Sequence, residues 1–226
     1  MQRWHALTQQ HGVKAVALIA DASNQEIDRL NARAQHLRAQ HGELGEHEIP
    51  LETVHYGLRQ GDHVAFTAQH RPPGAARVEN GTRGEITHLS LKGQTTVALD
   101  GSGRRVTLDG EDLEILRLAY AQHIYRQQGA TVDRTVVVTG GWQTSRESAY
   151  VEASRARHGT DWYVARDELG SEGKDTGRTT RLAQHMRNSR AHTPSLIYQE
   201  LPDPTRPDWL QPPLRDRPGH EHERAR

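Results

Sequence analysis

The sequence predicts an α/β sheet domain interrupted by a small antiparallel β-barrel. Three observations carry that expectation. KAVALIA (residues 14–20) and TVVVT (135–139) are short apolar runs that read as buried strands, and each is followed by a helical pattern. Between them, from about Gly61 to Leu113, the texture changes to short, alternating, β-branched segments separated by turn signals. From Leu116 the α/β texture returns. The expected parts are residues 1–58 and 115–170 for the two pieces of the sheet domain, 59–114 for the barrel and 171–226 for a mostly disordered tail.

Each element has a local cause. After KAVALIA, Asp21-Ala22 ends the strand. Ser23 is a good helix N-cap, and Glu26 three residues on completes a capping box. Ile27, Leu30, Ala34 and Leu37 follow at helical spacing, with Gly42 as the stop. In the middle segment HVAFT, GEITHL, TTVALD and RRVTLD are the strand candidates. Pro72-Pro73-Gly74, Asn80-Gly81, Lys92-Gly93 and Gly101-Ser102-Gly103 mark the turns between them. Four or five such strands can just close a core. Beyond TVVVT, Thr144 and Glu147 suggest a second capping box, opening a helix through Ala149, Tyr150 and Ala153, and DWYVA (161–165) reads as a further strand. SEGKDTGRTT looks loop-like, Leu182 to Arg190 suits a short basic helix, and residues 202–226 hold six of the ten prolines.

Bulk composition narrows the class. The hydrophobic fraction of 34% implies a modest core, and 29 basic against 29 acidic side chains leave no global field to draw the chain to nucleic acid or membrane. Lys14, Lys92 and Lys174 are the only lysines; the arginine excess suits bidentate phosphate contacts and equally follows from GC-rich coding. With no cysteine there is no disulfide framework, thiolate metal site or cysteine nucleophile. No apolar run approaches the roughly 18 residues of a membrane helix, so a cytoplasmic protein without membrane contact is expected.

Three polar clusters surround the TVVVT strand. In Ser154-Arg155-Ala156-Arg157 the two arginines stand on different faces of a helix, so at least one projects and could clamp a phosphoryl group; a solvated helix end has the same spacing. Gln127-Gln128-Gly129-Ala130-Thr131 offers a glycine loop whose amides could approach a phosphate or ribose, and it is equally an ordinary tight turn. His123, Tyr125 and Arg126 could stack on bases and bond phosphates, or form an amphipathic helix with one packed face. His36, His41 and His47 are too loosely spaced for a helical metal pair and His220-Glu221-His222 falls in the tail, so no metal site is expected; Asp109, Glu111 and Asp112 suggest paired carboxylates but fit a solvated turn better.

Taken together, these segments resemble the C-terminal motor half of superfamily 1 helicases of the RecD-like type, closest to the helicase portions of conjugative relaxases of the TraA/TraI kind. The resemblance rests on Tyr120-Ala121, Gln128-Gly129-Ala130-Thr131, the strand from Val136, Tyr150-Val151 and Ser154-Arg155-Ala156-Arg157. Upstream, ALIADASNQEIDRLN with Leu30-Asn31 resembles the preceding motif, and GDHVAFT and NGTRGEI resemble an inserted barrel of Src-homology type. Residues 15 to 167 are covered in the right order.

The resemblance implies a RecA-like sheet domain of P-loop NTPase type with an SH3-like barrel. It implies Arg155 as the catalytic arginine finger on ATP, with Gln128, Gly129, Thr131 and Arg155 near the nucleotide. It places His123, Tyr125, Arg126 and Gln128 against single-stranded DNA. Many relatives have Thr at the place of His123 and His at that of Tyr125. ATP and Mg²⁺ are the implied cofactors, held mainly elsewhere: the sequence has no Gly-Lys-Ser/Thr loop, since Gly173-Lys174-Asp175 lacks both the earlier glycine and the hydroxyl. The expectation is therefore half of an ATP-dependent DNA helicase, inactive alone, whose partner is an N-terminal RecA-like domain or a separate polypeptide carrying it. A non-catalytic single-strand-binding or assembly module of a mobile-element system, and an inert gene fragment, are the competing readings.

Overall fold

The computed structural model describes residues 1–72, 75–124, 131–139, 144–164 and 175–190. The first helix, α1 (Gln2–His11), lies in a polar stretch without an apolar period; Trp4 and Leu7, one turn apart, anchor it in the core. The Trp4 ring meets Tyr120 edge-on at 5.7 Å. Strand β1 (Val16–Ala20) is buried along its whole length, as a central parallel strand requires. Helix α2 (Asn24–Gln40) begins with the expected capping box: the Ser23 hydroxyl accepts from the Glu26 amide, and the Glu26 carboxylate accepts from the Ser23 amide. It gives way to Gly42 at φ 70°, the left-handed turn that favours glycine.

The buried stripe of α2 departs from the apolar one. Leu30 and Leu37 are only partly buried, whereas Asn31, Gln35 and Arg38 are buried beside Ile27 and Ala34. Each of the three polar residues has a structural partner. Asn31 donates to the Ala121 carbonyl and accepts from the Ala121 amide. Gln35 donates to Asp62 (2.7 Å) and Arg38 to Tyr120 Oη (2.9 Å), whose hydroxyl donates to Asp62 (2.6 Å). Burial pushes the Asp62 carboxyl up to about 6, opposed by these donors.

A short hairpin of β2 (Glu48–Pro50) and β3 (Gly57–Arg59) leads into an antiparallel sheet. This sheet comprises β4 (His63–Phe66), β5 (Arg83–Leu89), β6 (Thr95–Leu99), β7 (Arg105–Leu108) and β8 (Leu116–Leu118), in the order β7-β6-β5-β4-β8. The first four match the four strand candidates. The fifth, β8, pairs with β4 and lies past residue 114, where the sequence reading ends the barrel. Gly84 is required by close approach: a Cβ there would stand 2.5 Å from the Ala98 carbonyl oxygen. The inward residues Val64, Phe66, Ile86, Val97, Val106, Leu108, Leu116 and Leu118 belong to one apolar cluster with Trp4, Leu7, Val16, Leu18 and Val136. The antiparallel sheet and one face of the parallel sheet thus share a core.

The parallel sheet has the order β11-β10-β1-β9, formed with β9 (Ala121–His123), β10 (Arg134–Thr139) and β11 (Thr160–Val164). Every pairing in it is parallel. The α/β class, with a parallel sheet and a separate antiparallel sheet inserted between β1 and β10, is the one the sequence predicts. His123 ends a strand rather than a helix. Between β10 and β11 lies helix α3 (Arg146–Ala153). Its N-cap is Ser145, boxed with Ser148, one residue beyond the predicted Thr144/Glu147 pair. Thr144 instead meets the Thr139 hydroxyl at 3.1 Å.

Helix α4 (Asp175–His185) begins within the stretch read as a loop. Gly and Thr are weak helix formers, but the following segment is held by tertiary bonds: the Arg146 amide donates to the Asn188 carbonyl, and the Arg190 amide donates to Glu147. No described helix is long and apolar enough to cross a membrane.

Candidate functional site

The chain that leaves α3 turns back along the start of β10. Ala156 forms a parallel bridge with Val132: the Val132 amide donates to the Arg155 carbonyl (3.0 Å) and the Arg157 amide donates to the Val132 carbonyl (2.9 Å). The His158 amide to Asp133 (3.0 Å) and the Thr135 amide to Gly159 (3.1 Å) continue the ladder into β11. This places Arg155 beside Thr131, the exposed residue preceding Val132. Two motifs that are separate in sequence, the end of the glycine loop and the arginine pair, therefore meet at one edge of the sheet.

The Arg155 side chain is half-buried. Its Nε donates to the Val151 carbonyl (3.0 Å) and one terminal nitrogen donates to the Ser154 hydroxyl (2.9 Å), which orients the guanidinium at the helix end. Arg157 is more exposed and stands 3.6 Å from Asp133. A guanidinium and a hydroxyl at one edge can meet the oxygens of a phosphoryl group. Gln128, Gly129, Tyr125 and Arg126 lie outside the described residues.

His123 is elsewhere. Its register partner is Ala20, at the C-terminal end of the parallel strands, whereas Val132 precedes the pairing of Arg134 with Val16 at the other end. The structure therefore sets His123 and Arg155 at opposite ends of the sheet. His123 Nε2 lies 2.7 Å from the Asn24 side-chain oxygen. It lines a groove of about 650 Å³ between the first turns of α2, β9 and the antiparallel sheet, together with Asn24, Asn80, Arg83, Arg117 and Gln122. The Arg83 guanidinium donates to Gln122, and Arg117 donates to the Glu114 and Leu116 carbonyls. Cations, amides and an imidazole in one groove suit a phosphate backbone with exposed bases.

The face of the parallel sheet under α3 is unusually polar. Its apolar residues are Ala17, Ile19, Ile124 and Val137, flanked by Val132, Val151 and Trp162. By strand alternation Asp21 follows Ala17 and Ile19 on that face, and Thr135 and Thr139 flank Val137 on it. Glu152, on α3 beside Val151, is fully buried. Burial pushes its carboxyl up to about 8, with a further rise from the Asp21 charge. Asp21 is also raised by burial, against a Thr144 hydrogen bond and the Arg190 charge. Neither carboxylate was singled out from the sequence, where Glu in a polar helix reads as solvent-facing. Among the described residues no group of three or more acidic or histidine side chains could hold a metal ion.

No known protein-family model matches the chain, and no curated protein does. Solved structures do. The crystal structure of Bacteroides Pif1 bound to ssDNA matches with TM-score 0.46 and 20% identity, over 70% of this chain and 43% of that one. Pif1 helicase from Bacteroides in complex with ADP-AlF3 and ssDNA gives 0.47 and 19%, over 74% and 44%. Pif1 helicase from Candida albicans gives 0.39 and 15%, over 75% and 50%. The chain spans half or less of the length of these structures.

Proposed function

We propose that the chain is the second RecA-like domain, carrying an inserted SH3-like barrel, of an ATP-dependent DNA helicase or translocase of superfamily 1, of the RecD-like kind found in conjugative relaxases. The observation that carries this reading is the Val132–Ala156 bridge, which sets Thr131 and Arg155 side by side at one sheet edge. A motor of two such domains hydrolyses nucleotide at their junction, and a guanidinium supplied from the second domain offsets charge on the transferring phosphoryl group. Arg155 is the residue for that role, and Thr131, its neighbour across the bridge, is the second contact to the same nucleotide in this reading. When bound, ATP with Mg²⁺ would supply the phosphoryl group. Arg155 and Thr131 fit an edge contact to it rather than a full cradle, so its main holder is a domain or polypeptide bearing a phosphate loop. The groove at the far end of the sheet, with His123, Arg83 and Arg117, is the track for single-stranded DNA.

Reconstitution with a nucleotide-binding RecA-like half in trans tests this reading. The expected result is ATP turnover stimulated by single-stranded DNA, lowered by about 10³-fold or more in Arg155→Ala, the loss typical of an arginine finger. Tight single-strand binding with no turnover in any mixture supports the non-catalytic binding module instead, for which the groove is the specific observation.

A further inference from the structure

Glu152 is an ionisable side chain that the proposed activity does not use, and its placement is unusual. It is fully buried, and among the described residues neither carboxylate oxygen has a hydrogen-bond partner. The facing groups are equally ill matched to a charge. Asp21 Oδ2, just past the end of β1, is buried and lacks a partner among the described residues, as does the Thr135 hydroxyl oxygen on β10. Thr139 also lies on this face, with its hydroxyl 3.1 Å from that of Thr144, and the apolar residues there include Ala17, Ile19 and Val137, with Val151 and Trp162 packed against them. Among the described residues Asp21 is the charged group that acts on Glu152, and it is a like charge; Arg190 acts on Asp21. On α3 itself, Glu147 is engaged by the Ser189 hydroxyl and the Arg190 amide.

A bare carboxylate in such a place would be strongly disfavoured; a neutral carboxyl is tolerated. Glu152 stands three residues before Arg155, and the segment after it is tied to β10 through Val132. Ionisation of Glu152 would therefore drive the end of α3 toward water and strain the bonds that place Arg155.

We propose that Glu152 is a positioning residue whose bound proton seats α3 on the sheet, so that the placement of Arg155 responds to pH. The inference concerns the seat of the helix and stands whether or not Arg155 meets a phosphate. Its sign follows from linkage. The unfolded chain releases the Glu152 proton near its ordinary value of 4.5, and the folded chain holds it to about 8. Stability from this group is complete below about pH 4.5 and is lost as pH rises through about 8.

The test compares wild type with Glu152→Gln and Glu152→Met across pH 5 to 9, by thermal unfolding and by the amide resonances of Val132 and Arg157. Wild type is expected to lose several degrees of Tm toward pH 9. Its two amides are expected to shift with a midpoint near 8. Both neutral variants should show flatter Tm profiles and no such amide transition. The same transition at Val132 and Arg157 in either folded variant overturns the proposal, as does a wild-type amide profile with no transition in this range. If Glu152→Gln does not fold, Glu152→Met and the wild-type titration still decide.

Discussion

The two faces of the parallel sheet are built differently. On one face Val16, Leu18 and Val136 join Trp4, Leu7 and the interior of the antiparallel sheet in a continuous apolar core. Four of its buried polar residues form one bonded network, in which Asp62 accepts from Tyr120, Gln35 and the Arg59 amide and Arg38 reaches Glu43, while Trp4 Nε1 finds no partner among the described residues. On the α3 face four small or medium apolar residues share the space with Asp21, Thr135 and Glu152, each bearing an oxygen without a partner among the described residues. The first face fastens the inserted sheet to the parallel one. The second face gives up stability beside the motif residues Thr131 and Arg155, which is where local rules are commonly broken for function.

Substitutions on each face can break or sharpen this contrast. The largest effect is expected for Trp4→Ala, which empties a fully buried site in the shared core. It should cost about 3–5 kcal/mol in denaturant unfolding, and a loss below about 1 kcal/mol would show that α1 is peripheral. Next is Asp62→Ala, which removes the acceptor of the Tyr120 hydroxyl and the Arg59 amide and leaves the Gln35 amide only the Gly57 carbonyl. About 2–3 kcal/mol is expected in the same measurement. On the α3 face the sign reverses: Glu152→Met at pH 8 should stabilise by about 1–2 kcal/mol, read as a Tm raised by several degrees. The smallest effect is expected for Leu91→Ser. Leu91 is 85% exposed on the β5–β6 turn, so the stability of this variant in denaturant unfolding should stay within about 0.5 kcal/mol of wild type.

The contrast also explains what the sequence could reveal. β1, β10, the Ser23 cap and the strands β4 to β7 announce themselves through apolar runs, capping chemistry and turn residues, all local signals. Helix α1 does not, because only Trp4 and Leu7 anchor it and the rest is polar. The inner stripe of α2 is misleading in the same way: Asn31, Gln35 and Arg38 are buried because Ala121, Asp62 and Tyr120, far along the chain, satisfy them. Arg155 and Thr131 were legible as motifs, and the bridge that joins them is a tertiary fact. Glu152 and Asp21 were silent, since a carboxylate on a short helix and one after a strand normally face water.

The central claim is that the α3 face presents Arg155 to a nucleotide held by another domain. The most direct measurement is single-turnover ATP hydrolysis with a nucleotide-binding half in trans and single-stranded DNA present, comparing Arg155→Ala and Arg155→Lys with the Leu91→Ser control. The account predicts that the control matches wild type and that both Arg155 variants fall by about 10³-fold or more while still associating with the partner half. Equal rates in all four proteins would contradict it.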